Sequence, residues 1–314
     1  MTDTSKGRVP RTLVLLVLQC LVLGVAIAGA QAPSTRVGVL LVNHGSRSAV
    51  WRGALLDLET RTRGRVLESS PVRGIKTAFM EYTEPSIATR MREFDNEGFA
   101  DVIVIPVFLT VSTHTFDDIP TILGLKADSQ SLESLKIEGI ARYTPRSRIH
   151  LAPRLDFGAL LRENVLRRAR RLSKDPAKEG LVLIAYGDET YDKQWSALME
   201  RTARHVMSAT GIGAFSYGWA GHIVRYDPAH TTRAVEKVLR ERERALVVPV
   251  LVAFDEMFQV RIIGKGISAV QGHEKRVVYV PDAILPDRDV EAWVVETATT
   301  LARRIAGAAN TATR

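Results

Sequence analysis

The sequence contains one series of apolar strands twice, and this repetition is the feature that most restricts its fold. Leu181–Asp188 repeats the pattern of Leu40–Ser46, and Ala245–Val252 repeats that of Val102–Leu109. Each of these segments is a continuous apolar run that is rich in β-branched residues. Such runs are typical of parallel strands whose two faces are both buried.

Two pairs of matching residues define the offset of the repeat. Gly45 and Gly187 are 142 positions apart, and Pro106 and Pro249 are 143 positions apart. A nearly constant offset over two separate elements indicates an internal duplication. A chain of 314 residues is long enough for two domains that each bury their own core.

Strands and helices alternate in the first copy. We expect its strands at Val37–Val42, Val72–Met80, Asp101–Leu109 and Leu135–Ala141. This alternation is typical of right-handed βαβ units on a parallel sheet. The predicted fold class is therefore α/β, with two similar Rossmann-like lobes that each consist of a parallel β-sheet flanked by helices.

The positions of glycine and proline residues predict where the helices and lobes end. The first helix should cover residues 49–63 and stop at Gly64, and the second should begin at Pro85. A long helix ends the first copy before Pro176. We therefore predict a first lobe at 33–175 and a second, diverged lobe at 179–314.

The N-terminal segment is unlike the rest of the chain. Basic residues precede an apolar run at Leu13–Ala28, and small residues follow it. This order is typical of a secretory signal peptide, which we predict for residues 1–32, with a periplasmic or secreted mature protein. The alternative is an inner-membrane anchor formed by residues 13–30, although the run is shorter than the ~20 residues of a spanning helix. Only an uncleaved segment would bring the protein to a membrane.

Composition excludes several classes of function. Cys20 is the single cysteine and would leave with the signal peptide, so thiol catalysis and thiolate metal sites are excluded. Any metal site must then use histidine and carboxylate ligands. The net charge of +8 suits an acidic small ligand. No basic patch is interleaved with aromatic residues, so we expect no nucleic-acid partner.

Two histidines and a carboxylate follow the predicted strands of the first copy. His44 comes directly after the first strand, Glu81 ends the second, and His114 follows the third. Ligands of open parallel sheets bind at the carboxyl ends of the strands, where these side chains would meet. Imidazole binds Co²⁺, Ni²⁺, Fe²⁺ or Zn²⁺ and accepts protons near neutral pH. We predict His44, His114 and Glu81 as metal ligands, whereas Glu84 has an alternative role as a helix N-cap.

The second copy lacks this histidine pair. Tyr186 stands in place of His44, and Met257 stands in place of His114. His222 would reach the same edge of the sheet, but a histidine in a glycine-flanked loop is more often structural. The predicted site is therefore asymmetric, with the metal ligands in the first lobe.

Three motifs in the first half resemble those of a known family. They are Leu40–Arg47, Thr77–Ile87 and Val104–Leu109, and the last is followed by His114–Pro120. The segment they occupy, most of residues 36–154, closely resembles the CbiX/SirB-type sirohydrochlorin chelatases. These form a branch of the class II chelatases, which include ferrochelatase.

The resemblance implies that a divalent ion such as Co²⁺, Fe²⁺ or Ni²⁺ is inserted into a tetrapyrrole held between two similar lobes. The ion is then a substrate, and no organic cofactor is implied. His44 and His114 match the catalytic histidines of the family, which bind the incoming metal and accept pyrrole protons. Glu81 is our choice for the third polar group, and the duplication would supply both lobes in one chain.

Polar residues beside these histidines are candidates for binding the tetrapyrrole. Sirohydrochlorin carries many carboxylates, so we predict contacts from Ser46, Arg47 and Thr113. Ordinary surface charge remains the alternative for Arg47. Asp255 and Glu256 lie beside the lost histidine position of the second copy, where we expect a solvated turn.

Export separates this sequence from a typical tetrapyrrole enzyme, because tetrapyrrole assembly is normally cytoplasmic. Two alternatives to an exported chelatase therefore stay open. One is an exported protein that binds metal or tetrapyrrole without turnover. The other is a structural descendant that kept the fold and lost the site.

Overall fold

The computed structural model describes residues 1–2, 36–108, 112–153 and 157–312. Nearly all of the predicted signal segment, including Cys20, lies outside these residues. None of the described helices is long and apolar enough to cross a bilayer.

The first half of the chain forms one four-stranded sheet with its helices. Its elements in chain order are β1 (Val37–Asn43), α1 (Ala49–Ser69), β2 (Val72–Phe79), α2 (Ile87–Asn96), β3 (Asp101–Pro106), a π-helical turn (His114–Asp118), α3 (Ile119–Ile122), α4 (Ser129–Ile137), β4 (Arg148–Leu151) and α5 (Phe157–Leu172).

The second half repeats this arrangement after a short 3₁₀ turn at Pro176–Lys178. Its elements are β5 (Glu179–Ala185), α6 (Asp192–Thr210), β6 (Ala214–Trp219), a 3₁₀ turn (His222–Val224), α7 (Ala229–Leu239), β7 (Arg244–Val250), a π-helical turn (Met257–Gly264), α8 (Lys265–Ser268), α9 (His273–Arg276), β8 (Val277–Tyr279) and α10 (Arg288–Ala312).

The two sheets have the same topology and register. Their strand orders are β2-β1-β3-β4 and β6-β5-β7-β8, and the paired strands are parallel. Val42 lies opposite Pro106 in the first sheet, and Ile184 lies opposite Pro249 in the second. β1 and β5 are buried along their whole lengths, as both-face packing requires. The predicted α/β fold class is confirmed, and the common register agrees with a duplication.

Helix α1 does not stop at Gly64, and the prediction of its end there was wrong. The helix continues to Ser69, and its buried residues are Leu55, Leu58, Thr62 and Val66. This spacing keeps one apolar face against the sheet on both sides of the glycine. Packing of that face outweighs the ~1 kcal/mol that a glycine costs in a helix interior.

The start of α2 also differs from the prediction. The helix begins at Ile87 rather than Pro85, and the Ser86 hydroxyl accepts a hydrogen bond from the backbone N–H of Thr89. Ser86 is therefore the N-cap, and Glu84 instead accepts a hydrogen bond from the backbone N–H of Ser86.

The fourth strand was predicted in the wrong place. Residues 135–137 belong to α4, which Asp128 caps by accepting a hydrogen bond from Ser131 N. The strand that pairs with β3 is Arg148–Leu151 at the sheet edge. Its Arg148 and His150 side chains bind the buried carboxylate of Asp101. An edge strand with polar residues facing such a carboxylate shows no apolar run, so its sequence does not resemble a core strand.

The last helix of each half packs on the other lobe. α5 packs against α6 and β7 of the second lobe, and α10 packs against α1, β2 and β3 of the first. The linker at 176–178 thus separates the two sheets in sequence, while the covering helices are exchanged between them. The apolar core accordingly includes residues from both halves, such as Ile103 and Leu246.

A buried arginine on α5 links the exchanged helix to the second lobe. The Arg168 side chain is 4% exposed and forms an ion pair with Asp282. Its guanidinium also donates to the backbone oxygen of Pro249 at 2.7 Å and to Asn164 Oδ1 at 3.4 Å. Arg171 approaches the same Asp282 at 3.5 Å, but its side chain is 70% exposed.

Replacing Arg168 by methionine should lower the free energy of unfolding by about 1–3 kcal/mol, because it leaves the buried backbone oxygen of Pro249 without this donor. The matched change Arg171→Met removes an exposed partner of the same carboxylate and should cost less than ~1 kcal/mol. Urea-induced unfolding followed by circular dichroism measures both. Equal losses in the two variants would contradict a stabilising role for the buried link.

Candidate active site

His44 is held in place by the junction of β1 with the loop after β2. The backbone oxygen of His44 accepts a hydrogen bond from Glu81 N at 2.8 Å, so the two residues are tied together beyond the strands. Gly45 follows with φ of +107°. The Cβ that alanine would add there lies 2.1 Å from the backbone oxygen of Glu81. Only glycine therefore allows this close approach of the two loops.

His114 begins the π-helical turn that leads into α3. The wide turn brings Asp118 beside its ring, with His114 Nδ1 2.8 Å from Asp118 Oδ2. Because an ionised carboxylate only accepts hydrogen bonds, Nδ1 is the donor. Asp118 thus orients the imidazole and leaves Nε2 free. The spacing of four residues between His114 and Asp118 is visible in the sequence, but Asp118 was not among the predicted site residues.

The three predicted metal ligands come together in the folded chain. One ligand atom of each of His44, Glu81 and His114 lies within 4.8 Å of the others, and His44 Nε2 is 4.0 Å from Glu81 Oε2. The imidazole rings meet edge to face with centroids 4.9 Å apart. Ligand atoms around one first-row ion are about 3.3 Å apart, so side-chain shifts of about 1 Å would complete the coordination.

The cluster combines access to solvent with an apolar backing. The side chains of His44 and His114 are 37% and 28% exposed, whereas Glu81 is only 7% exposed. The ring of Phe108 lies 6.5 Å from that of His44 and 6.2 Å from that of His114. An incoming ion can therefore reach the imidazoles, and the apolar ring limits the water around them.

Both histidines present the same ring nitrogen to the site. His44 Nδ1 lies 3.2 Å from the backbone oxygen of Gly45, which can only accept, so this nitrogen carries the proton. His114 Nδ1 donates to Asp118 in the same way. The free Nε2 atoms of the two neutral rings are then available as ligands.

The two imidazoles differ in their affinity for a proton. Burial lowers the pKa of His44 and outweighs the opposing effect of the Glu81 carboxylate. Burial also acts to lower the pKa of His114, but the hydrogen bond that its ring donates to Asp118 and the charge of Glu81 outweigh it and raise that pKa. His44 thus favours the neutral ring, whereas His114 binds a proton more strongly.

The arrangement resembles an open metal site rather than a structural one. Two imidazoles and one carboxylate provide three ligands, which leaves at least one coordination position for water or a substrate. Three ligands of mixed type also hold an ion less firmly than a closed four-ligand cage. The site can therefore bind a divalent ion, remove part of its hydration shell and release it.

The residues predicted to bind the tetrapyrrole have different surroundings. The hydroxyl of Ser46 donates to Asp255 Oδ2 at 2.9 Å and thus joins the two lobes. Donation by this hydroxyl to a substrate carboxylate would require that hydrogen bond to break. Arg47 is exposed, and its guanidinium lies 5.5 Å from the ring centroid of Tyr82. Thr113 is exposed at the start of the π-helical turn.

Asp255 corrects the expectation of a solvated turn in the second lobe. Its carboxylate accepts hydrogen bonds from Ser46 and from the backbone N–H of Met257. Ser46 and Asp255 are 209 positions apart, so no local pattern predicts this contact.

Tyr82 is a further residue of the site and was not among the predicted site residues. Its backbone has φ of +65°, and its ring lies 6.0 Å from that of His44. Burial and the neighbouring Glu81 carboxylate raise the pKa of Tyr82 to about 12. Tyr82 therefore stays protonated and holds Arg47 above its face, beside the metal ligands.

The second lobe lacks all three ligands at the equivalent positions. Tyr186 follows β5 as His44 follows β1, and Met257 begins its π-helical turn as His114 does. Gly221 N donates to the backbone oxygen of Tyr186, so Gly221 corresponds to Glu81. The cluster of His44, Glu81 and His114 is therefore confined to the first lobe.

Comparison with known proteins assigns the chain to a family. A model of the CbiX family matches residues 38–172. The sirohydrochlorin cobaltochelatase of Methanococcoides burtonii is 31% identical over 96 residues, which cover 31% of this chain and 70% of the relative. The chain belongs to the CbiX/SirB chelatase family. The sirohydrochlorin cobaltochelatase of Methanocaldococcus jannaschii is 35% identical over 91 residues, and the chain covers 61% of its length.

The CbiX/SirB fold extends over both lobes. The sirohydrochlorin chelatase SirB from Bacillus subtilis subspecies spizizenii, solved in complex with cobalt, matches with a TM-score of 0.58 at 17% identity. The match covers 86% of this chain and 95% of SirB. At this identity the likeness concerns the fold. The family model ends at residue 172, so the second lobe keeps the architecture while its sequence has diverged.

We expect the affinity for Co²⁺ to fall as pH decreases through the raised pKa of His114, because protonation of Nε2 removes a ligand. Replacing Asp118 by asparagine removes the anion that favours the imidazolium, so the pH at which binding is lost should move downward. Loss of the orienting carboxylate should also weaken binding at high pH by about 10–100-fold. Equilibrium dialysis of Co²⁺ at a series of pH values measures both effects.

The neighbouring change Asp117→Asn provides the matched control. Asp117 pairs with Lys126 rather than with His114, so its replacement should leave the pH dependence of Co²⁺ binding unchanged. A similar shift in both variants would indicate a general effect of surface charge and contradict the assigned role of Asp118.

Proposed function

We propose that this protein is a chelatase that inserts Co²⁺ or Fe²⁺ into a tetrapyrrole such as sirohydrochlorin. The observation that carries the proposal is the cluster of His44, Glu81 and His114 at the carboxyl edge of the first sheet. This lobe is also the part of the chain that the CbiX family model matches. The relatives named above are sirohydrochlorin cobaltochelatases, which supports a lyase of this type.

In this proposal the three ligands receive the ion and replace part of its water shell. The lowered pKa of His44 keeps its Nε2 unprotonated and ready for the ion. Glu81 supplies negative charge that offsets the dehydration of the cation. Release to the macrocycle is favoured because an open set of three ligands is weaker than the nitrogen donors of a tetrapyrrole. An imidazole that has given up its ion can then accept a proton.

We place the macrocycle between the lobes, with one face toward the metal ligands. Arg47 is exposed beside His44, and its guanidinium has the geometry to bind a peripheral carboxylate. Thr113 offers a hydroxyl at the other end of the cluster. We further propose that the protein acts after export, on the basis of the signal-peptide pattern at residues 1–32.

Replacing His114 by alanine should reduce the rate of Co²⁺ insertion into sirohydrochlorin by at least about 100-fold, because one side chain acts as both ligand and base. Insertion is followed by the absorbance change of the macrocycle, with Co²⁺, Fe²⁺ and Ni²⁺ tested in parallel. His230→Ala is the control, since this residue lies on α7 of the second lobe. Thermal unfolding of both variants verifies that the fold is retained.

Two results would contradict the proposal. A His114→Ala protein that inserts Co²⁺ at the wild-type rate would remove the histidine from the chemistry. Wild-type protein that retains one equivalent of metal or tetrapyrrole without forming product would instead identify a binding protein.

A further inference from the structure

A second group of polar side chains lies in the second lobe, where the metal ligands lie in the first. The hydroxyl of Tyr186 lies 3.3 Å from His222 Nδ1 and 3.4 Å from the hydroxyl of Tyr226. The Tyr186 ring also packs edge to face on Phe258, with centroids 5.5 Å apart. The three polar groups form a hydrogen-bonded chain that ends at the exposed imidazole of His222.

The loop that carries two of these side chains has an unusual backbone. Arg225 and Tyr226 have φ of +52° and +58°, a region that residues other than glycine rarely adopt. Their N–H groups donate to the backbone oxygens of His222 and Gly221, respectively. The tight turn brings the hydroxyl of Tyr226 beside the hydroxyl of Tyr186. Strain of this kind is concentrated at functional sites.

The chain of hydroxyls lies near the cluster of His44, Glu81 and His114, because the charge of Glu81 acts on Tyr186. Ser46, two residues after His44, donates to Asp255 of the second lobe. Phe116, two residues after His114, stacks on Tyr191 with ring centroids 6.4 Å apart. These contacts join the carboxyl edge of one sheet to that of the other. A planar macrocycle in the cleft would therefore have its second face toward Tyr186.

Metal insertion needs a proton acceptor that is not holding the ion. While His44 and His114 bind the metal through Nε2, their lone pairs are occupied and their Nδ1 atoms carry protons. The pyrrole protons that leave before the ion is transferred must go to another group. Burial and the neighbouring Tyr226 raise the pKa of Tyr186, so its hydroxyl stays protonated and passes one proton on as it accepts another.

We propose that Tyr186 and His222 accept the pyrrole protons that leave before the ion is transferred, on the second-lobe face of the macrocycle. The proposal rests on the chelatase function proposed above. The oxygen of Tyr186 takes the proton of a pyrrole N–H and passes its own proton to His222 Nδ1. The electron pair of the broken N–H bond stays on nitrogen and forms the bond to the metal. The His222 imidazolium then releases its proton to solvent, which returns the hydrogen-bonded groups to their starting protonation states for the next transfer.

The test compares His222→Gln and Tyr186→Phe with the wild-type full chain. Both variants should bind Co²⁺ with unchanged affinity in equilibrium dialysis, because neither residue is a metal ligand. Insertion of Co²⁺ into sirohydrochlorin should slow by about 10²–10⁴-fold, the usual contribution of a positioned base. Proton removal then limits the rate, so the solvent deuterium isotope effect should increase. Added imidazole should partly restore the rate of Co²⁺ insertion by His222→Gln.

Tyr186→Phe keeps the aromatic ring and its packing, so the fold should survive the loss of the hydroxyl. His273→Gln is the matched control, because His273 is a partly exposed histidine of the same lobe on α9. It should insert Co²⁺ at the wild-type rate. His114→Ala should lose Co²⁺ binding as well as insertion, which separates failure of the metal site from failure of the proton path.

The proposal is overturned if His222→Gln inserts Co²⁺ at the wild-type rate. It is also overturned if the rate falls without recovery in imidazole and without a larger isotope effect, since that pattern indicates a structural role. In both cases the chelatase function stands as long as the wild type turns over. Absence of any insertion by the wild type would reject both proposals together.

Discussion

Each sheet of this molecule has two apolar faces to cover, and part of the cover comes from the other half of the chain. A parallel strand buries side chains on both faces, so a sheet left with one bare face is unstable in water. Helices α5 and α10 supply this cover across the lobes. The exchange makes the described residues of the two lobes one compact unit. It also holds together the carboxyl edges of the two sheets, where Ser46 of the first lobe donates to Asp255 of the second.

At the carboxyl edge of the first sheet, the surroundings of His44 and His114 give two chemically identical side chains different affinities for a proton. His44 has a carbonyl partner at Nδ1, and burial keeps its ring neutral. His114 has the Asp118 carboxylate at the same position, which favours the protonated ring. The pair thus combines a ring that stays neutral with one that binds a proton more strongly, around the shared carboxylate of Glu81. This division follows from the backbone, since the π-helical turn brings Asp118 within reach.

The local sequence pattern predicted the parts of the fold and site that depend on local chemistry. The long apolar runs of β1 and β3 are consequences of burial on both faces, so the strands and the residues that follow them, such as His44, were predictable. The true β4 lacks such a run, because Arg148 and His150 face the buried Asp101. The exchange of helices and the Ser46–Asp255 hydrogen bond join distant parts of the chain. No short segment of the sequence contains both partners, so neither feature could be predicted from a local pattern.

The duplication places two different groups of side chains at equivalent positions of one repeated fold. The sheet register is the same in both lobes, while the residues at the equivalent site positions differ. Tyr186 now occupies the place of His44, and its hydroxyl lies in a chain that ends at His222. A second metal cluster on the opposite face would compete for the incoming ion, whereas phenol and imidazole groups that accept protons complement the first. The asymmetry therefore fits a reaction in which an ion arrives on one face of a planar ligand and protons leave from the other.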